Sequence, residues 1–277
     1  MSRRRRITHT VQRSARRSNR WKKLAAIAGL AAATLVVAVG AFLFVSQPGG
    51  PPGPPHAAIV DQLSLTVPNP AFVGDATATL ERAGYAVDYF PGEEVTVDFY
   101  RELPKHGYEL IVVRAHSGIG TVLDASGDVV RTLGPALYTT EPYSKWRHTD
   151  EQRELDLLSV AFYSAGSAPE DQFFAILPEF IASSMKGDFD GAAVILMGCE
   201  VLTNTDLAQA FIDRGAGAVV GWDDTVSASH TDAATLNMLE HLVLENLSLE
   251  AAAQVAASEV GPDPFYGSTL VSYPHDQ

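Results

Sequence analysis

Three stretches of this chain, ELIVVRAHSG (109–118), AAVILMGC (192–199) and AGAVVGW (216–222), are apolar at nearly every position. A strand with one wet face alternates apolar and polar side chains, whereas a strand that is apolar throughout has to be covered on both faces. Between and after these runs lie stretches with helical spacing: TDLAQAFIDRG (205–215), HTDAATLNMLEHLVLENL (230–247) and SLEAAAQVAASEVG (248–261). That alternation predicts an α/β domain built on a mostly parallel sheet. The rest of the folded body fits the same scheme. A helix is expected over 71–83, ended by Gly84, then a short strand over 86–90 and a second helix over 94–108. After the first long apolar run comes an alternating hairpin over 121–133, turning at Ser126 and Gly127, and a strand over 158–165. Residues 171–177 read as extended, 178–185 as helical and 267–274 as a closing strand.

The charges divide the chain. Residues 1–23 hold ten of the 20 Lys and Arg and no acid; the first acid is Asp61. Beyond residue 46, ten basic residues face all 33 acids, a net charge of −23. A body that acidic does not bind nucleic acid or anionic membrane through bulk charge. Residues 24–45, LAAIAGLAAATLVVAVGAFLFV, are 22 positions without a charge. As a helix they would span roughly 33 Å, enough for a hydrocarbon core of about 30 Å. A cleavable signal has a shorter apolar region and small residues at the cut, whereas FLFVSQPGG follows here. The reading is therefore a basic cytoplasmic tail (1–23), one retained transmembrane helix (24–45), a Pro/Gly-rich linker (46–58) and a folded domain (59–277). The tail's positive charge predicts that it stays in the cytoplasm, as a single-pass cell-membrane protein with its body outside. The linker, SQPGGPPGPPHAA, suits an extended spacer.

In α/β sheets, chemistry gathers where strands end at their carboxyl edge. Two reactive side chains fall at such ends, His116 after ELIVVRA and Cys199, the only cysteine, after AAVILMG. A lone cysteine also suits the role of a small apolar filler. Its place at a strand end, after Gly198 and before the polar run EVLTNTD, points instead to a nucleophile whose thiolate an imidazole supports. With one cysteine, no disulfide forms within the chain. The eight histidines include no i, i+4 pair and no HExxH, and there is no GxSxG elbow, P-loop or GxGxxG. His230 and Asp232 form a close His/acid pair that a helix start explains, and DFDG (188–191) lacks the full calcium-loop pattern. No metal and no cofactor is expected.

The blocks LIVVRAHSG, AAVILMGCEV and TDLAQAFIDRGAGAVVGWDDTVS, in that order, resemble the caspase-like fold of clan CD cysteine peptidases, on its CHAT, clostripain and gingipain side. The resemblance covers roughly residues 85–245. It implies a three-layer sandwich around the parallel sheet, with Cys199 as nucleophile and His116 as general base and acid. It further implies an oxyanion site made by the backbone N–H groups of Gly118 and Cys199. Met197 stands where several relatives have an acid, and the hairpin after His116 is larger than a minimal member needs; both departures bear on substrate preference. Glu200, Asp223 and Asp224 are candidate acids for a pocket binding Arg or Lys of a peptide or protein substrate, with Trp222 as a wall. Asp223 and Asp224 equally suit a cap or solvated turn, and Trp222 a core position. The expected activity is a thiol protease of the endopeptidase type. An inactive caspase-like binding module at the cell surface and an acyl-transferring transpeptidase are the alternatives.

Overall fold

A computed structural model describes residues 53–126, 128–154, 157–162 and 172–274. The tail, the proposed span and residues 46–52 of the linker lie outside the described residues. Among the described residues no helix is long and apolar enough to cross a membrane.

Among the described residues, ten strands form two sheets. The central sheet holds β1 (His56–Asp61), β2 (Ala86–Pro91), β3 (Leu110–Arg114), β8 (Ala193–Leu196), β9 (Ala218–Trp222) and β10 (Leu270–Tyr273), in the order β10-β9-β8-β3-β1-β2. Every pairing is parallel except that of β10 with β9. The mostly parallel α/β sheet expected from the three apolar runs is therefore present. The second sheet is antiparallel, in the order β4-β5-β7-β6, from β4 (Ser117–Leu123), β5 (Val129–Pro142), β6 (Leu158–Phe162) and β7 (Gln172–Ile176).

Successive residues of the central strands go to opposite faces, as the pleat requires. Ala57, Ile59, Leu110, Val112, Ile195 and Val220 enter one core. Helices α1 (Pro70–Arg82), α6 (Ala228–Leu239) and α7 (Leu249–Val260) supply Phe72, Leu80, Met238 and Ala252 to it. Ala58, Val60, Ile111, Val113, Val194 and Leu196 enter the other core. There α2 (Val97–Glu102), α4 (Pro178–Ser184) and α5 (Asp206–Asp213) supply Tyr100, Phe180 and Phe211, and the second sheet adds Leu137, Phe174 and Ile176. Each such large side chain contributes about 1.5–3 kcal/mol by leaving water. Both faces of the sheet are thus covered, which is why its strands could be apolar throughout.

The helix starts are legible in retrospect. Asn69 caps α1 by accepting the Phe72 N–H, with Pro70 at the first position, and Ser248 caps α7 by accepting the Ala251 N–H. Two expectations change. The composition extends the proline-rich spacer to residue 58, but β1 begins at His56, and Ala57 and Ala58 are fully buried in mid-sheet. Small side chains between two covered faces make a strand without a strand-like composition. The helix expected over 94–108 is a single short α-helix, α2, between two 3-10 turns. Pro104 and Gly107, the latter at φ 67°, stop it from continuing. The hairpin is also longer than the alternation over 121–133 suggests, because β4 starts at Ser117 and β5 runs to Pro142.

Candidate functional site

The carboxyl ends of β1, β3, β8 and β9 lie side by side, and His116 and Cys199 follow two of them, β3 and β8. Strands β3 and β8 are neighbours, with Val113 opposite Leu196. His116 and Cys199 each follow three residues after those positions. The chains stay close past the last paired residues. The Met197 N–H donates to the Val113 carbonyl at 2.9 Å, and Ser117 Oγ donates to the Cys199 carbonyl at 2.5 Å. Gly198 permits this approach. A Cβ there would lie 2.2 Å from Ser117 Oγ and 2.8 Å from the Ala115 carbonyl oxygen, closer than any side chain can sit. After Cys199 the chain turns sharply, with Glu200 at φ 57°. The Glu200 N–H donates to the Asp224 carbonyl at 3.0 Å, which ties this turn to the end of β9.

His116 is held from the β1 side. Its N–H donates to Gln62 Oε1 at 2.8 Å, and Thr66 Oγ1 lies 3.2 Å from its Nε2. On the other side the Tyr138 N–H donates to the His116 carbonyl at 3.0 Å. Cys199 is half-buried, and its Sγ lies 3.5 Å from both the N–H and the carbonyl oxygen of Val226. Burial pushes the thiol up. The Val226 N–H works against that shift, and the charges of Glu200, Asp224 and Asp263 add to it. Burial, then the Arg114 charge, push the His116 imidazole down. Both shifts favour a neutral thiol and a neutral imidazole over a thiolate–imidazolium pair. The imidazole-supported thiolate expected from the sequence is therefore not the resting form that this electrostatic setting favours.

Beneath the site lies a buried charge network that the sequence pattern does not reveal. Arg114, two residues before His116, is fully buried. Its Nε and Nη2 donate to the two carboxylate oxygens of Asp232 at 2.7 and 3.0 Å. Its Nη1 donates to Asp61 Oδ1 at 2.8 Å and its Nη2 also to the Val67 carbonyl at 2.9 Å. Burial works against the guanidinium charge, but the hydrogen bonds from Asp232 and Asp61 hold its pKa above the ordinary value. Asn69 Nδ2 donates to Asp232 Oδ2 at 2.8 Å. The network thus joins the ends of β1 and β3 to α6 and to the segment carrying Gln62 and Thr66.

The remaining expected residues separate into three groups. Glu200 is partly buried next to Cys199; burial, then Asp224, raise its carboxyl above the usual range. Asp224 is exposed, and its carboxylate accepts the Thr225 N–H at 2.7 Å. Asp223 fastens β9 to the start of β10, accepting the Thr269 N–H at 2.7 Å and its hydroxyl at 2.6 Å. Trp222 is 1% exposed and gives its indole N–H to Thr231 Oγ1 at 2.8 Å, so its ring is core beneath the Cys199 turn. Gly118 lies in β4 opposite Ala136. The Tyr138-to-His116 bond and the alternation of an antiparallel ladder turn the Gly118 N–H toward β5 and the Ser117 N–H away from it. Among the described residues no group of three or more His, Cys, Asp or Glu side chains is arranged to hold a metal ion.

Sequence reasoning missed Gln62, Thr66, Asp61, Arg114 and Tyr138. Reading HAAIVD as a strand would have placed Asp61 and Gln62 at the same sheet edge as His116. No protein-family model matches the chain, and no curated protein matches it. Among solved structures, the crystal structure of protein GSU0716 from Geobacter sulfurreducens is similar at 11% identity, over 80% of this chain and 93% of that one. Its TM-score of 0.37 marks a loose likeness that carries no functional inference.

Proposed function

We propose that this chain is a caspase-like cysteine endopeptidase that hydrolyses peptide bonds with Cys199 and His116, held on the outer face of a cell membrane by residues 24–45. The observation that carries the reading is the register of β3 and β8, which puts a thiol and an imidazole on adjacent strand ends joined by the Ser117–Cys199 hydrogen bond. The covered, mostly parallel sheet supports the fold side of the reading.

In the proposed reaction His116 takes the thiol proton as Cys199 Sγ adds to the carbonyl carbon. The same proton passes to the amine when the C–N bond breaks, leaving a thioester. Water then attacks the thioester with His116 as base, and the thiol is restored. With the thiol's pKa raised and the imidazole's lowered, little thiolate is present at rest, so in the proposed reaction the proton leaves as Sγ attacks. Glu200 and Asp224 give the site negative charge, which suits Arg or Lys on the acyl side of the cut. The Cys199 N–H remains the proposed oxyanion donor, with the Ser117 N–H in place of Gly118's.

The test is cleavage of fluorogenic peptides bearing Arg, Lys, Leu or Asp at the cut by the full-length chain. Cleavage is expected to be lost in Cys199→Ala and in His116→Ala. Glu200→Gln is expected to narrow the preference for Arg and Lys over Leu by roughly tenfold, the worth of one charged hydrogen bond. A binding module without activity is the second reading, favoured by the packing of Cys199 against the buried cluster of Trp222, Val226 and Ala234. A wild-type chain that cuts none of the peptides, with a thiol inert until unfolding, would decide for it.

A further inference from the structure

Strand β5 brings a further side chain to the site. The Tyr138 ring centre lies 6.2 Å from that of His116, the planes inclined by 45°. Its hydroxyl oxygen is 3.2 Å from the point where a Cβ on Gly118 would sit, and Glu200 Oε2 is 4.0 Å from the same point. Any side chain at 118 would press on that phenol, so the glycine keeps the space open. Among the described residues the hydroxyl has no hydrogen-bond partner. Tyr138 is partly buried, and Gly118 and Tyr138 share a cavity of about 30 Å³ with Ser159, Ala161 and Ala175, room for about one water. Burial, then the charges of Cys199 and Glu200, raise the phenol's pKa above its ordinary value. At neutral pH the phenol therefore keeps its proton and acts as a donor.

We propose that Tyr138 is a further catalytic residue, whose phenolic O–H donates a hydrogen bond to the carbonyl oxygen of the acyl group as Cys199 adds to it. The proposal rests on the Cys199–His116 reading. As the S–C bond forms, the carbonyl π pair moves onto oxygen and the thiol proton goes to His116. The Tyr138 proton stays on Tyr138 and stabilises the oxyanion until the pair returns and the leaving group departs. A half-dry site strengthens such a bond, because few waters compete for the developing charge.

Two probes of different chemistry separate this role from a structural one. 4-Nitrophenyl acetate acylates the thiol through a tetrahedral oxyanion; iodoacetamide alkylates it by displacement at a saturated carbon, with no oxyanion. The chain has a single cysteine, so the rate of each reaction above that of a Cys199→Ala control, which retains the other nucleophiles, reports on Cys199. In the full-length chain Tyr138→Phe is expected to slow acylation roughly 10²-fold, the loss seen when one oxyanion donor is removed. Alkylation should stay within about twofold of wild type, since the proton taken up by His116 is untouched. Unchanged acylation would overturn the proposal, and so would an equal fall in both rates, which would mean that the ring only packs the sulfur. A wild-type thiol that acylates no faster than a free thiol would instead sink the Cys199–His116 reading, and this proposal with it.

Discussion

Replacing Arg114 by methionine tests whether the buried network is an ion cluster that holds the site's scaffold. The guanidinium gives four hydrogen bonds, three to carboxylates and one to the Val67 carbonyl, with no exposure to solvent. Its loss would leave Asp61 at 1% and Asp232 at 5% exposure without their cation. Removing one partner of a buried ion pair costs about 3–5 kcal/mol. Two stranded carboxylates do not double that figure, because Asn69 still donates to Asp232 and Tyr89 to Asp61. Against a total stability of about 5–15 kcal/mol, the change would bring the domain close to its unfolding threshold. Urea unfolding at pH 7, followed by circular dichroism, measures it. The combined variant Asp61→Asn/Arg114→Met/Asp232→Asn should recover most of the loss, since neutral side chains of similar size replace the whole cluster. An Arg114→Met chain within about 1 kcal/mol of wild type would refute the reasoning, because a buried ion cluster cannot lose its cation so cheaply.

Other outcomes follow from the same structure. Iodoacetamide alkylation of Cys199 should still be rising with pH above about 8.5, the ordinary thiol value, because burial and the Glu200, Asp224 and Asp263 charges hold the thiol's pKa up; a plateau below pH 7 would contradict the neutral resting pair. Gly198→Ala forces a methyl group into Ser117 and the Ala115 carbonyl, and should cost about 1–3 kcal/mol in thermal or urea unfolding. A neutral result there would mean that the two strand ends are not in contact. For Asp263, burial alone would raise the carboxyl, but hydrogen bonds from the Ser227 hydroxyl and N–H and from the Tyr266 and Phe265 N–H groups hold it well below the usual range. Its folded pKa being depressed, its contribution is full above the unfolded value of about 3.9 and is lost as pH falls below it. Asp263→Ala should therefore destabilise the domain at pH 7 and lose that effect progressively as the pH is taken below about 4; an equal loss at pH 7 and in acid would contradict the assignment.

The sheet was the most legible part of the fold. Runs such as LIVV and AVIL, apolar at every position, require cover on both faces, and the two cores provide it. Strand β1 was not legible, because His56, Ala57 and Ala58 follow a proline run and carry little side chain to signal a strand. His116 and Cys199 could be named because each closes an apolar run. Their neighbours could not, because Gln62 and Thr66 follow a strand, β1, whose composition does not announce it, and Tyr138 comes from the second sheet. Arg114 shows the limit of pattern reading from the other side. It sits in an apolar run as a single charge, and only the acids opposite it, from β1 and α6, explain how it can be buried.

The second sheet enters the chain between β3 and β8, which are direct neighbours in the first. His116 and Cys199 are therefore 83 residues apart in sequence although they belong to adjacent strand ends. Parallel neighbours cannot form through a local hairpin, and closing so long a loop costs entropy that is regained only when the pair is made. Pairings of this kind form slowly, late in folding. On the proposed reading, the thiol of a nascent or half-folded chain is an ordinary one, without its imidazole.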